Sequence, residues 1–429
     1  MNRRMHRTSA GQGIKQQNCL LAILCLAMTW PASLRAQAGE LDKTFGRGGI
    51  FLGENTGLAN SVATALTILS DGKILIAGQF QATGAVQPCV VRLAANGTLD
   101  SSFGQRGVAT VSLGHGGGEL FTGVVVQSNG KIVVAVSSGG ADDAPVLELA
   151  RFEANGMLDT GFGNAGVLQL ARGATDSSAI AQQADGKILV GGGFLVARVN
   201  SDGGLDTAFG SNGFMPAISE ASAISLRANG QILLPASSYN ANGTVDTSFG
   251  ILGRIATLGP VSPARVQSNG KIVAAGAVTS KVMLGQLPNA TVVTGFGLTR
   301  YNSNGSLDTS FGHQGGVVTD FSSIAPSLTP SDLAIETNGN IIVAGQAVQL
   351  SSTAFLPAPG VFALARYTPT GALDNTFGTG GKVVTSFGTK ATAGIAAVAI
   401  DSEGRLVAAG NVASGSNPGS IAVARYLTH

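Results

Sequence analysis

Seven aspartates and six arginines recur along this chain at spacings regular enough to suggest shared chemistry. The aspartates sit in a Leu-Asp-x-x-Phe-Gly block: Asp42, Asp100, Asp159, Asp206, Asp246 (with Val in place of Leu), Asp308 and Asp374, separated by 58, 59, 47, 40, 62 and 66 residues. Arg92, Arg151, Arg198, Arg300 and Arg366 each stand eight residues before Asp100, Asp159, Asp206, Asp308 and Asp374; Arg425 has no aspartate after it. A constant offset across a turn suits an ion pair, and the arginine fork can meet a carboxylate bidentately. The fourth repeat has Ser238 where the arginine belongs, so Asp246 is expected to be unpaired. The alternative chemistry, an arginine cluster gripping an acidic sugar, needs convergence on one pocket, whereas regular repetition disperses the arginines around the fold.

Other reactive residues are few. His115 and Glu119 lie in Gly114-His-Gly-Gly-Gly-Glu119 and have the types of an acid/base pair or of two metal ligands. A histidine set among loop glycines is expected to be solvated instead. Asp142-Asp143 and Glu54-Asn55 are further polar spots. The chain lacks HExxH, GxSxG, CxxC and Walker loops, and no catalytic residue, metal site or cofactor is expected. One Asp per repeat supplies too few oxygens for calcium. It is instead expected to accept backbone N–H groups in an Asx turn, with the Phe filling space between neighbouring units.

The elements that position these residues follow from two more blocks. A turn dipeptide before an apolar run reads SDGKILIAG (70–78), SNGKIVVAV (128–136), ADGKILVGG (184–192), ANGQILLPA (228–236), SNGKIVAAG (268–276), TNGNIIVAG (337–345) and SEGRLVAAG (402–410). The arginine block reads VVRL, LARF, VARV, LTRY, LARY and VARY. Asp-Gly and Asn-Gly before β-branched runs predict hairpins, and no segment keeps a helical period. Each period resolves into four short strands, A to D; in the sixth unit these are 331–337, 341–345, 361–367 and 381–386. The expected fold is an all-β, seven-bladed propeller of four-stranded antiparallel blades. Residues 41–52 supply a D strand without A, B or C, and the C-terminus supplies A (395–400), B (406–410) and C (421–426) without D. The N-terminal strand is therefore expected to complete the last blade and close the ring, bringing Asp42 to Arg425 and leaving no free edge there.

These blocks together, LDxxFG, DGKI and ARY-x-x-x-Gly, resemble the delta-60 repeat family of exported bacterial proteins. The likeness covers residues 41–427, departs in the fourth repeat, and implies a propeller with no established activity, cofactor or catalytic residue.

Residues 1–38 read as an export signal: Arg3, Arg4, Arg7 and Lys15, a short apolar run at 19–28, and Ala36-Gln37-Ala38 as a cleavage site. Residues 39–429 then form a single propeller domain, secreted or periplasmic, with no membrane span once the signal is gone. Cleavage removes five of 26 Lys+Arg and none of 24 Asp+Glu, leaving 21 against 24, a net charge of −3. With 12% charged residues overall, no nucleic-acid footprint is expected. Cys89 would be the one cysteine left, so no internal disulfide can form. The 62 glycines fit a turn-rich chain, and 44% hydrophobic residues suffice for a large core.

A–B turns and C–D connections repeat closely and read as framework. The B–C loops (79–88, 137–145, 277–294, 346–360 and 411–419) and the D–A loops vary, and in a propeller both emerge on one face. Glu54, Asn55, His115, Glu119, Asp142 and Asp143 are the candidate binding residues there. The expected function is a monomeric, non-catalytic binding or scaffold module for a protein or glycan. The alternative is a lyase, glycosidase or quinone-dependent oxidase with its site at the axial opening. Three or more ionisable groups at that opening would favour the enzyme, and a lining of Ala, Ser and Gly the binder.

Overall fold

Seven tight turns set the hairpins. Gly72, Gly130, Gly186, Gly230, Gly270, Gly339 and Gly404 all take φ between 79° and 87°, where any side chain is strained. The side-chain oxygen of the preceding Asp71, Asn129, Asp185, Asn229, Asn269 or Asn338 accepts the N–H two residues on, at 2.9–3.2 Å. The seventh turn has Glu403 before its glycine. Asp401, two residues earlier, takes over there and accepts the N–H of Glu403 at 3.0 Å and of Arg405 at 2.9 Å.

A computed structural model describes residues 37–82, 85–114, 119–138, 146–172, 178–255, 263–282, 291–322, 327–348, 360–388, 391–414 and 417–429. Its strands, in chain order, begin with β1 (Ile50–Leu52). Blade 1 is β2 (Ser61–Ile68), β3 (Ile74–Ala82), β4 (Ala85–Leu93) and β5 (Val108–Thr110). Blade 2 is β6 (Leu120–Val126), β7 (Ile132–Ser138), β8 (Val146–Phe152) and β9 (Val167–Arg172). Blade 3 is β10 (Ser178–Gln182), β11 (Ile188–Gly192), β12 (Leu195–Val199) and β13 (Phe214–Pro216). Blade 4 has β14 (Ser225–Leu226), β15 (Ile232–Leu234) and β16 (Ser237–Tyr239). Blade 5 is β17 (Ala264–Val266), β18 (Ile272–Val282), β19 (Thr291–Tyr301) and β20 (Gly316–Asp320). Blade 6 is β21 (Ser327–Ile335), β22 (Ile341–Val348), β23 (Gly360–Tyr367) and β24 (Lys382–Thr385). Blade 7 is β25 (Ala391–Ile400), β26 (Leu406–Ser414), β27 (Asn417–Tyr426) and, from the other end of the chain, β1. A 3₁₀ turn, Gly53–Thr56, links β1 to β2.

The hydrophobic core is divided. Seven clusters of buried side chains each straddle two successive blades, including blades 7 and 1. Each takes one phenylalanine from the Leu-Asp-x-x-Phe-Gly blocks: Phe45, Phe103, Phe162, Phe209, Phe249, Phe311 and Phe377, none more than 1% exposed. A single sheet cannot hide both of its faces, so each blade depends on its two neighbours and the ring is the smallest unit that buries them all.

Polar clasps join the inner strands to neighbouring blades. The Thr64 hydroxyl donates to the Phe121 carbonyl, and Ser225 Oγ to the Ala264 carbonyl at 3.1 Å. Asn411 reads the Ala63 backbone, its oxygen accepting the N–H at 2.7 Å and its amide nitrogen donating to the carbonyl at 3.2 Å. Arg265 of blade 5 pairs with Asp332 of blade 6 at 2.6 Å, and the second Asp332 oxygen accepts the Val398 N–H of blade 7 at 3.0 Å. Burial pushes the Asp332 carboxyl up, against the pull of Arg265 and two backbone N–H groups.

Three sequence expectations need correction. Blade 4 is three-stranded, its D strand reduced to a single bridge, Ser237 to Arg254. The strands are longer than the repeat suggests, because ladders continue through β-bulges at 63–65, 121–123, 330–332 and 395–397 into residues that no longer repeat. For the same reason much of the expected B–C loops at 79–88 and 277–294 is strand: β3 and β4 pair as far as Ala82 and Ala85, β18 and β19 as far as Val282 and Thr291.

At the closure, Ile50, Phe51 and Leu52 pair with Ala424, Val423 and Ala422. The Arg425 N–H donates to the Gly49 carbonyl at 3.0 Å, so Ile50 and Ala424 form the neighbouring, non-hydrogen-bonded pair. Such pairs lie about 4.5 Å apart at Cα, within disulfide reach. The variant Ile50→Cys/Ala424→Cys should therefore oxidise to an intramolecular disulfide joining the two ends, read as a 50–424 cross-linked peptide by mass spectrometry. Absence of that peptide after oxidation would mean a different register.

Candidate functional site

The recurring charges form the face of the A–B turns and C–D connections. Arg92, Arg151, Arg198, Arg300, Arg366 and Arg425 place Nε 2.6–2.9 Å from Oδ2 of Asp100, Asp159, Asp206, Asp308, Asp374 and Asp42. The pairing is one-nitrogen, not the bidentate fork the sequence suggests, because the rest of each guanidinium has other partners. Its carbon lies 4.4–4.7 Å from the centre of the Phe ring three residues beyond the aspartate. Its Nη1 crosses to the next blade, to the carbonyls of Ala154, Ser201, Ala241 and Ala95 at 2.6–2.7 Å, and to those of Pro369 and Thr428. The other aspartate oxygen accepts the N–H two residues on at 3.0–3.2 Å, in all seven copies.

A second cation on these aspartates comes from the turn block. Lys131, Lys187 and Lys271 lie 2.7–2.9 Å from Asp159, Asp206 and Asp308; Lys73 is 3.8 Å from Asp100 and Arg405 3.5 Å from Asp42. The signal for this was present in the Asp/Asn-Gly-Lys spacing, which sequence reasoning used only as a turn. The six arginine-paired aspartates titrate low. At Asp159 and Asp206 the lysine hydrogen bond is the largest influence. At Asp42, Asp100, Asp308 and Asp374 burial opposes ionisation and is outweighed by hydrogen bonds from the residue two on, from the arginine and, at Asp308, from Lys271.

Blade 4 solves the same problem differently. Asp246 is not unpaired as expected: its Oδ2 accepts from Gln231 at 2.8 Å and from Ser238 at 3.4 Å. A guanidinium still lies on Phe249, 4.7 Å from the ring centre, but it belongs to Arg227, at the end of the inner strand. Arg227 Nη1 donates to Gln231 at 3.2 Å, while its Nε and Nη2 are buried without a partner. The arginine has moved strands while its place over the ring is kept. The sequence carries the sign of this in Arg227, where other repeats have Leu69, Gln127, Gln183, Gln267, Glu336 and Asp401.

On the opposite, variable face the described candidates are Glu54, Asn55 and Glu119. Glu54 and Asn55 are exposed in the 3₁₀ turn after β1. Glu119, expected on the binding surface, is instead 5% exposed at the foot of β6. His115, Asp142 and Asp143 lie outside the described residues. His313 is on the framework face, its N–H donating to the Gly316 carbonyl at 2.8 Å. Among the described residues no group of three or more His, Cys, Asp or Glu could hold a metal ion, and no helix is long and apolar enough to cross a membrane. The Cys89 thiol is buried and pushed up to about 12, which leaves it unreactive.

Comparison with known proteins agrees with the repeat reading. Residues 69–103, 127–162, 183–209, 289–311 and 357–377 match a beta-propeller domain of unknown function, DUF5122; in blades 1–3 the match runs from turn block to aspartate block. The fold is similar to a glucose dehydrogenase structure at 13% identity, covering 86% of this chain and 97% of that one, with a TM-score of 0.39. It is also similar to an α-L-arabinofuranosidase from Fusarium graminearum, at 8% identity, 91% and 96% coverage and a TM-score of 0.40. A PQQ-bound aldose sugar dehydrogenase from Streptomyces coelicolor matches at 10% identity, 86% and 95% coverage and a TM-score of 0.36. Likeness of that degree carries no inference about chemistry. No curated protein matches the chain.

Two measurements test the framework. Replacing Arg227 by Gln should cost about 1–2 kcal/mol, the scale of a desolvated cation–π contact, read from the urea midpoint. Adding Ser238→Arg should recover most of that loss by rebuilding the arrangement of the other blades, whereas Ser238→Arg alone should destabilise by crowding two guanidinium groups over one ring. Second, the folded protein binds fewer protons at its six paired aspartates than the unfolded chain does, so stability is fully present above the ordinary carboxylate range and falls as pH drops through and below about 4. Asp332 and Glu336, which burial pushes up, work in the opposite sense but are two against six. The urea midpoint should be nearly flat from pH 7 to about 5 and drop steeply below about 4; a rise there would contradict the assignment.

Proposed function

We propose that this protein is an exported, monomeric binding or scaffold propeller of the delta-60 repeat type, without catalytic activity, that presents its variable face to a protein or glycan partner in the periplasm or outside the cell. Residues 1–38 serve as its export signal in this reading, and residues 39–429 as the working domain.

The observation that carries the reading is the wall of the axial channel. Along β21, Ser327, Thr329 and Ser331 are exposed between the buried Leu328, Pro330 and Asp332. Along β25, Thr392, Gly394 and Ala396 are half-buried between buried neighbours, as is Val62 in β2, and Thr64 is half-buried beside the buried Ala63. These exposed and half-buried positions, of which Thr64, Ser331 and Ala396 are the extra residues of bulges, line the channel, and they are hydroxyls, methyls and glycine. The inner strands carry two charged residues, Arg265 and Asp332, and these are paired to each other. General acid–base work needs a group able to give or take a proton at the substrate, and a carboxylate held by one guanidinium and two backbone N–H groups is poorly placed for it. The unevenness of the variable face supports partner recognition: β18, β19 and β27 run to 10 or 11 residues, while blade 4 has no strand longer than three.

The test is site-specific photo-cross-linking on the full chain. A photoreactive residue at Asn55 or at Phe194, which is 58% exposed on the B–C hairpin of blade 3, should yield a cross-linked partner. The same residue at Met157, 65% exposed on the framework face, should not. Cross-links from Met157 alone would overturn the assignment of the binding face.

A further inference from the structure

Blades 6, 7 and 1 form the tallest part of the channel wall. Their inner strands are nine, ten and eight residues long, against five, two and three in blades 3, 4 and 5. Where this wall reaches the variable face it holds a cavity of about 370 Å³, within the range of small-molecule pockets, roughly 300–1,000 Å³. Thr329 and Ser331 of blade 6, Thr392 and Gly394 of blade 7 and Val62 of blade 1 line it, with Gln346 from the end of β22 closing one side.

We infer that this cavity binds a neutral saccharide, one or a few units of an uncharged glycan. The inference rests on the binding-module reading above and names the ligand class and its seat. Among the described residues the lining contains no ionisable side chain, so an acidic or basic ligand would be desolvated against them without compensation. What it offers are the hydroxyls of Thr329 and Ser331 and the amide of Gln346, groups that both donate and accept, as sugar hydroxyls do. Thr329 and Ser331 are both exposed, two residues apart along one strand with Ser331 the extra residue of a bulge, and lie no more than about 7 Å apart, a span that lets one sugar ring meet both. The apolar parts are methyl groups of Val62, Ile395, Val412 and Ala413. Among the described residues of the lining there is neither an aromatic ring nor an arginine, and those are the anchors a protein partner would be expected to use. Gly394 keeps the space open: a Cβ there would stand 3.2 Å from the Gln346 side chain, so any larger residue both fills the cavity and displaces Gln346.

The experiment uses the purified full chain on a printed array of neutral and acidic glycans, followed by calorimetry with the strongest neutral hit. Expected is binding to one or more neutral glycans, weakened about tenfold or more by Thr329→Val with Ser331→Ala, since each lost hydrogen bond is worth about a factor of ten. Gly394→Val should abolish it. Both residues of the double variant are exposed, so an unchanged thermal midpoint shows that this variant folds even if Gly394→Val does not. No neutral glycan bound, a preference for acidic glycans, or affinity unchanged in the double variant would each overturn the inference. In those cases a cross-linked partner at Asn55 or Phe194 would still leave the binding reading standing, so the two can fail separately.

Discussion

A guanidinium set over a phenyl ring, with a carboxylate on one of its nitrogens and the next blade's carbonyl on another, is the contact on which this ring depends. It does three things that apolar packing cannot do alone. It fixes the C–D connection to its own strand C, it holds the phenylalanine in the gap between blades, and it reaches across that gap in one direction only. Repeated around the circle, a directional contact of this kind sets the order and spacing of blades, where side chains as similar as Ala, Val and Ile would tolerate sliding. The last contact, Arg425 to Asp42 at 2.8 Å and on to Ala95 at 2.6 Å, joins residues more than 300 positions apart in the sequence. The ends of the chain are thus held by the same device as its middle.

Blade 4 shows which part of the device matters. The ion pair is gone, the strand-C arginine is gone, and the outermost strand is reduced to a bridge, yet a guanidinium still covers Phe249. A cation over the ring is therefore the feature retained when the rest is relaxed. The relaxation has a cost, visible as two buried guanidinium nitrogens without partners and a nearby carboxylate that settles for an amide and a distant hydroxyl. It also coincides with an exposed apolar tip, Ile251 and Leu252, at 68% and 75% exposure, where the other repeats have small or polar residues.

Much of this was legible in the sequence because repetition supplies its own control. The eight-residue offset from Arg92 to Asp100, found again four times, could only be a contact. A D strand at 41–52 and a missing one after Tyr426 could only be one blade shared between two ends. What escaped was whatever a single copy did in its own way. Arg227 stands next to a turn as any flanking residue does, and the lysine of the turn block has a sufficient reason in the turn itself. The extensions of β18, β19, β21 and β25 were hidden for a related reason. They lie beyond β-bulges or beyond the repeat, so the alternation that marks them has no counterpart in other units to be read against.

The same logic separates framework from function. Residues that recur seven times are committed to blade-to-blade contacts that every blade needs, and changing any of them weakens the ring whatever the protein does. Recognition must therefore come from positions free to differ. The inner strands illustrate this: at the level of Asp332 the corresponding residues in blades 1, 2 and 7 are Ala65, Gly123 and Ala397. A carboxylate introduced among such small residues is tolerated only because Arg265 and the Val398 N–H meet it. The residues just above it toward the variable face, Ser331 and Thr329, carry no such obligation and face the channel. Departure from the repeat, combined with freedom from the interblade network, is the physical mark of a position available for binding, and on this ring those positions gather where blades 6, 7 and 1 stand tallest.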